Sequence, residues 1–408
     1  MASSGVKVAA PRSPAVVEIS SVEDLLPIVR TIVQRQGYQM LEGLNVKPGM
    51  KVLMVTDTTN DPLVVEAFRI AIREAGGLLE SIELVGYPEM TEPVELVDAM
   101  FSNRWWPAWV WSATESADLM LHMAMLKVPH TPNLPVSHDR SRIVDLECSN
   151  RDQLTPEYHT FPRELRDTID RKVWEVLGYA QRIEVTDAEG TELRCSVSKE
   201  EWQREVAKQE KRGGLPYQSG HLQVPLPSTN LEGVLATSSL TFGGPVPRTF
   251  CTVQGGQVAA VEGGGKFGEA LRKDTEQYRD LRFSGYPGPG VNWLSTMGIC
   301  THPKARRSIY YDELTGSARV HAWAIGHRRS GVIHSSIGEG LVREDYKVIR
   351  HVDLYFGTLA ADGKKVIEGG HLLALDDPEV RAVAQRHGDP DKLLHVDWVP
   401  AVAGVNSP

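Results

Sequence analysis

The sequence predicts an α/β N-terminal domain with a parallel sheet, followed by an α+β C-terminal metal-binding domain. Two textures and one concentration of residues lead to that expectation. Between residues 51 and 85 a buried-strand run, an amphipathic helix and a second strand follow one another at βαβ spacing. From Gln181 onward, short β-like runs alternate with Gly/Pro-rich turns. Of the thirteen histidines, five fall between His302 and His351.

The elements can be justified in order. Lys51-Val52-Leu53-Met54-Val55-Thr56 reads as a buried strand, closed by the turn formers Asp57 to Asn60. Asp61-Pro62 opens a helix, with a capping aspartate and a proline in the first turn, and Gly76-Gly77 stops it after Ala75. A strand follows at Leu78 to Val85, and a further pair at Ala117 to Met125 and Arg142 to Leu146. The helical stretch Pro156 to Tyr179 carries the boundary, giving a disordered lead over 1–16, an α/β domain over 17–165 and an α+β domain over 166–408. In the second domain strands are expected at Arg182–Thr186, Glu192–Val197, Val234–Thr237, Thr249–Val253, Val258–Val261, Arg319–Ile325 and His351–Phe356. A helix is expected over Gly268–Tyr278. The four tryptophans between Trp105 and Trp111 read as core or subunit-interface packing, with the wall of an aromatic pocket as the alternative.

Composition narrows the function classes. A 408-residue chain with 41% hydrophobic and 24% charged residues is ordinary for a globular protein of two or three domains. The net charge of −9 argues against a nucleic-acid partner. The basic clusters Lys304-Ala305-Arg306-Arg307 and His327-Arg328-Arg329 are short, and suit solvated loops or anion-pairing arginines. No run reaches the ~18–20 apolar residues of a membrane span, and Met1 to Pro14 lacks the apolar core of a secretory signal. Cys148, Cys195, Cys251 and Cys300 lie far apart and form no Cys-x-x-Cys pair. A soluble protein of the reducing cytoplasm is the expectation.

The sharpest chemical signal is His351-Val352-Asp353. On a strand, period-two geometry puts His351 and Asp353 on one face, two thirds of a facial metal triad. His395-Val396-Asp397 repeats the pattern, so His-x-Asp alone is weak. His321, His221 and His302 are each open as a third ligand, and Glu262, between a strand and a glycine turn, as ligand or general base. A nitrogen and oxygen donor set suits Fe(II), Mn(II), Co(II) or Zn(II). No Gly-x-Gly-x-x-Gly follows the first strand, and no Walker loop, nucleophile elbow or His-Glu-x-x-His helix is present.

Met297-Gly298-Ile299-Cys300-Thr301-His302-Pro303-Lys304-Ala305-Arg306, then Asp312-Glu313, His321-Ala322-Trp323-Ala324-Ile325-Gly326 and His351-Val352-Asp353-Leu354, together resemble a known superfamily. It joins aminopeptidase T-like metallo-aminopeptidases with 2,5-dihydroxypyridine 5,6-dioxygenases. The looser likeness, which includes the Asp61-Pro62 helix and Ser219-Gly220, lies closer to the dioxygenase branch. The resemblance implies that His351 and Asp353 are metal ligands and that His321 matches the histidine of the aminopeptidase pattern. Thr296 stands where the family carries a ligand, and His221 where the aminopeptidases carry a glutamate. A mononuclear centre of His351, Asp353 and one or both of His221 and His321 follows, with Fe(II) the first expectation.

The leading expectation is therefore Fe(II)-dependent ring cleavage of a small aromatic or heteroaromatic compound, with His302 and Arg328 holding substrate oxyanions. The alternatives are a hydrolase of aminopeptidase or amidase type using a metal-activated water with Glu262 as base, and a metal-free binding protein. The family also implies a homo-oligomer.

Overall fold

The computed structural model describes residues 8–15, 18–35, 43–86, 89–101, 108–125, 143–146, 150–211, 220–226, 228–283, 285–323, 326–343 and 346–408. Strands β1 (Lys51–Asp57), β2 (Leu78–Leu84), β3 (Leu119–His122) and β4 (Ile143–Asp145) form a parallel sheet in the order β2-β1-β3-β4. The helix Pro62–Glu74 joins β1 to β2. The Asp61 carboxylate accepts from Leu63 N at 3.1 Å, a cap worth ~1 kcal/mol, and Pro62 fills the first turn. Gly76, at φ +82, ends the segment. One sheet face packs Val52, Met54, Leu119 and Leu121 against Val64, Phe68 and Ile72 of this helix and Leu25, Val29 and Ile32 of the helix Val22–Gln34. The other face buries Leu53, Val55, Met120 and Ile143 with Val110.

Val110 belongs to the helix Ala108–Glu115, on which Trp111 packs against the core while Trp109 is exposed. Trp105 and Trp106 lie outside the described residues. The helices Pro156–His159 and Arg163–Leu177 occupy the stretch expected to be helical, and lead into a second, antiparallel sheet.

That sheet contains β5 (Arg182–Thr186), β6 (Glu192–Ser196), β7 (His221–Gln223), β8 (Leu231–Leu240), β9 (Gly244–Gln254), β10 (Gln257–Gly263), β11 (Leu294–Cys300), β12 (Ile333–Arg343), β13 (Tyr346–Leu354), β14 (Thr358–Ala361), β15 (Lys364–Glu368) and β16 (His371–Leu372). Its main path runs β16-β15-β14-β5-β6-β8-β13-β12-β11-β7, with β9 pairing β8 and β10 pairing β9. The largest core lies against it, including Leu235, Val253, Ile299, Ile333, Val352 and Leu354, together with Leu165, Ile169 and Val173 from the helix Arg163–Leu177. The helix Gly265–Gln277 buries Phe267 and Leu271 there.

Two expectations differ from the structure. Arg319–Ile325, read as a strand, lies largely in the helix Gly316–Trp323. Ser317, Val320 and His321 are buried at i, i+3 and i+4, with Ala322 buried beside them, so the helical period prevails over the β-propensity of Val320 and Trp323. Arg12, inside the stretch read as a disordered lead, forms a β-bridge with Val399, with reciprocal N–H···O bonds of 3.0 and 2.9 Å.

Candidate active site

The pairing registers of β13, β12, β11 and β7 assemble a polar site on the antiparallel sheet. Asp353 pairs with His334, and His334 with Gly298; two residues along, His351 pairs with Ser336, and Ser336 with Thr296. Two rows of positions therefore cross three neighbouring strands on one face, with a gap at Gly298. His334 Nδ1 lies 3.0 Å from Asp353 Oδ1, and its Nε2 lies 3.0 Å from His351 Nδ1. The His334 and His351 rings stack, with centroids 4.9 Å apart.

A shell of polar and aromatic groups fixes these three. The Thr241 hydroxyl, just beyond β8, donates to Asp353 Oδ1 at 2.9 Å and sits 3.2 Å from His334 Nδ1. Ser336 Oγ lies 2.9 Å from His351 Nδ1. Phe101 and Phe242 flank the His351 ring at centroid distances of 5.4 and 5.9 Å, and His327 lies 5.5 Å from Phe242 and 5.1 Å from His334. Asp353, His334 and His351 are all buried.

His221 enters from the short edge strand β7. Its backbone pairs with Cys300, while its ring reaches diagonally over Gly298 to within 5.3 Å of the His334 ring centroid. A Cβ at position 298 would lie 1.6 Å from His221 Nε2, so the glycine opens the path between the two histidines. Burial, followed by the Arg328 charge and His334, holds the His221 imidazole well below its ordinary pKa. Arg328, on the single turn Gly326–Arg328, thus supplies positive charge beside His221.

Of the sequence candidates, the structure brings together His221, His351 and Asp353, with Arg328 alongside. It places three others elsewhere. His321 faces Asp57 at the end of β1, Nε2 to Oδ2 3.2 Å, a contact that turns its ring to the parallel sheet. Asp57 is itself saturated, accepting from Thr59 N, the Thr59 hydroxyl and Met125 N at 2.9, 2.6 and 2.9 Å. His302 is sandwiched between Tyr158 and Phe161, at centroid distances of 4.3 and 4.8 Å, and its Nδ1 accepts from Lys304 N at 3.1 Å. Burial pushes the His302 imidazole far below its usual value, as befits a packed core histidine. Glu262 is exposed on β10, in register with Phe250. Sequence reasoning missed His334. The available signal was a histidine in the apolar run Val332-Ile333-His334, inside a segment with strand character.

Two buried imidazoles and one carboxylate on adjacent strands are the donor types of a non-haem Fe(II) centre. In this conformation the donors bond one another. Among the described residues, no group of three or more His, Cys, Asp or Glu is arranged to hold a metal ion. The donor set fits such a cation by its chemistry, and the shell around it has the outer-sphere partners that ligands need.

The fold and site thus define a mixed α/β protein with a buried imidazole–carboxylate cluster on an antiparallel sheet. The chain belongs to the 2,5-dihydroxypyridine 5,6-dioxygenase (NicX) family, an enzyme family whose model matches residues 35–374. It is similar in fold to the 2,5-dihydroxypyridine dioxygenase of Pseudomonas putida KT2440, with a TM-score of 0.57 and 16% identity over 89% of this chain and 99% of that one. AmpT from Thermus thermophilus matches with a TM-score of 0.46 and 13% identity over 85% of this chain and 99% of that one. No curated protein sequence matches the chain. Among the described residues, no helix is long and apolar enough to cross a membrane.

Proposed function

We propose that the chain is an Fe(II)-dependent dioxygenase that cleaves the ring of a small hydroxylated heteroaromatic compound of the dihydroxypyridine type. The observation that carries this reading is the His334–Asp353–His351 cluster in a chain of the dioxygenase family. His334, His351 and Asp353 would hold the metal, with His221 as a fourth donor across Gly298. Bound Fe(II) would supply O2 activation beside the ring.

The remaining roles belong to the chain itself. Thr241 and Ser336 orient Asp353 and His351 through their hydrogen bonds. Phe101 and Phe242 offer aromatic edges against which a planar ring packs. Arg328, whose charge acts on His221, would pair with a ring oxyanion. Burial of the cluster excludes bulk water, which strengthens each of these interactions. The hydrolytic alternative lacks its proposed base, because Glu262 lies exposed on β10. We further propose a cytoplasmic homo-oligomer.

Iron analysis of anaerobically purified protein tests the reading. Close to one iron per chain, lost in Asp353→Ala, is expected. Wild-type protein that takes up no Fe(II) overturns it.

A further inference from the structure

His221 sits on the weakest strand of the site. β7 has three residues, lies at the end of the sheet path and, among the described residues, pairs with β11 alone. Three ladder positions on one side are little to fix a side chain that must reach across Gly298.

A carboxylate outside the histidine cluster compensates. Asp170 lies in the helix Arg163–Leu177, completely buried. Its Oδ2 accepts from Gly220 N at 2.8 Å, and its Oδ1 accepts from the Thr301 hydroxyl. Gly220 immediately precedes His221, and Thr301 immediately follows Cys300, the residue that pairs with His221. The Gly220 carbonyl in turn accepts from Thr301 N at 3.3 Å. One side chain therefore clamps the two strands at the point where His221 leaves the backbone. Gly220 takes φ +64 there, the left-handed conformation that a glycine adopts without strain.

We propose that Asp170 is a positioning residue for His221, setting the imidazole's approach to the His334–His351–Asp353 cluster from a helix that supplies no donor to it. This deepens the proposed function and rests on the role assigned there to His221. Burying a carboxyl is costly, and here burial pushes Asp170 up to about 7. Both of its partners donate, so an acceptor at this position is what the local structure requires.

The test is a double-mutant cycle read by Co(II) affinity and the visible Co(II) spectrum, with Asp170→Ala and His221→Ala made singly and together. Asp170→Ala is expected to weaken Co(II) binding ~10–100-fold and to change the spectrum, as loss of an outer-sphere support does. In the His221→Ala background the same substitution should add nothing. Asp170→Asn, which keeps one acceptor oxygen, should fall between, and carries the cycle if the alanine variant does not fold. Equal losses in both backgrounds, or an unchanged Co(II) spectrum in the Asp170 variants, overturn the inference while leaving the proposed function standing. A His221→Ala chain that binds Co(II) as the wild type does removes His221 from the metal site, and overturns both the inference and the fourth-donor role given to His221, while the His334–Asp353–His351 reading is tested separately by iron binding in Asp353→Ala.

Discussion

His334 Nδ1 and Asp353 Oδ1 lie 3.0 Å apart across the β12–β13 register, and this contact joins two residues 19 positions apart into one buried unit. His334 touches His351 through its other ring nitrogen, so it stands at the centre of the cluster. His334→Ala is predicted to be as damaging as His351→Ala, lowering Fe(II) affinity and turnover by at least ~100-fold, beyond the loss typical of an outer-sphere partner. His321→Ala should leave Fe(II) affinity near the wild-type value. Metal titration of the three variants checks this order, and a reversed order contradicts it.

Thr241 donates to Asp353 and also lies beside His334. Thr241→Val keeps the shape and removes the hydroxyl. Metal affinity should fall ~10–100-fold with the fold intact. Equilibrium dialysis against Fe(II) or Co(II), with circular dichroism as the control, measures both.

Gly298 is the gap through which His221 meets His334. Gly298→Ala puts a methyl 1.6 Å from the present position of His221 Nε2, so the ring must move. Turnover should fall by an order of magnitude or more, in line with the cost of a ~1 Å misplacement in a site. Steady-state assays of Gly298→Ala beside His221→Ala check it. Wild-type turnover in Gly298→Ala would falsify the assigned path of His221.

The Asp57–His321 pair makes a pH-dependent contribution to stability. Burial pushes the Asp57 carboxyl up, but His321 and the bonds from Thr59 outweigh burial and leave it at about 2, below its ordinary 3.8. A depressed carboxylate contributes stability that is complete above the unfolded value and lost as pH falls through the folded one. Asp57→Asn should therefore be less stable than wild type at pH 6 by about 2 kcal/mol, with the difference shrinking from pH ~4 towards pH 2. Urea unfolding at several pH values reads the difference, and a gap that stays constant with pH counts against the pair.

Much of the fold was legible because local signals were consistent. Asp61-Pro62 and Gly76-Gly77 bracket a helix, and the apolar runs on either side of it pair as parallel strands. His351 and Asp353 were legible for the same reason, since alternation along a strand is a local property. His334 was not, because its place beside Asp353 is set by the register of two strands, which a single sequence does not encode locally. His321 and His302 carry the same side chain as the clustered histidines, yet one meets Asp57 at the end of β1 and the other sits between two aromatic rings. Residue type identified candidates, and tertiary packing sorted them.

Oxygen uptake by the Fe(II)-reconstituted chain supplied with 2,5-dihydroxypyridine, run beside His334→Ala, tests the central claim most directly. The proposal predicts one O2 consumed per ring, with loss of the ring's ultraviolet absorbance, and neither event above background in the variant. Iron-loaded wild-type protein that consumes no oxygen with this or related hydroxylated pyridines, or a His334→Ala variant that matches wild type, would contradict it.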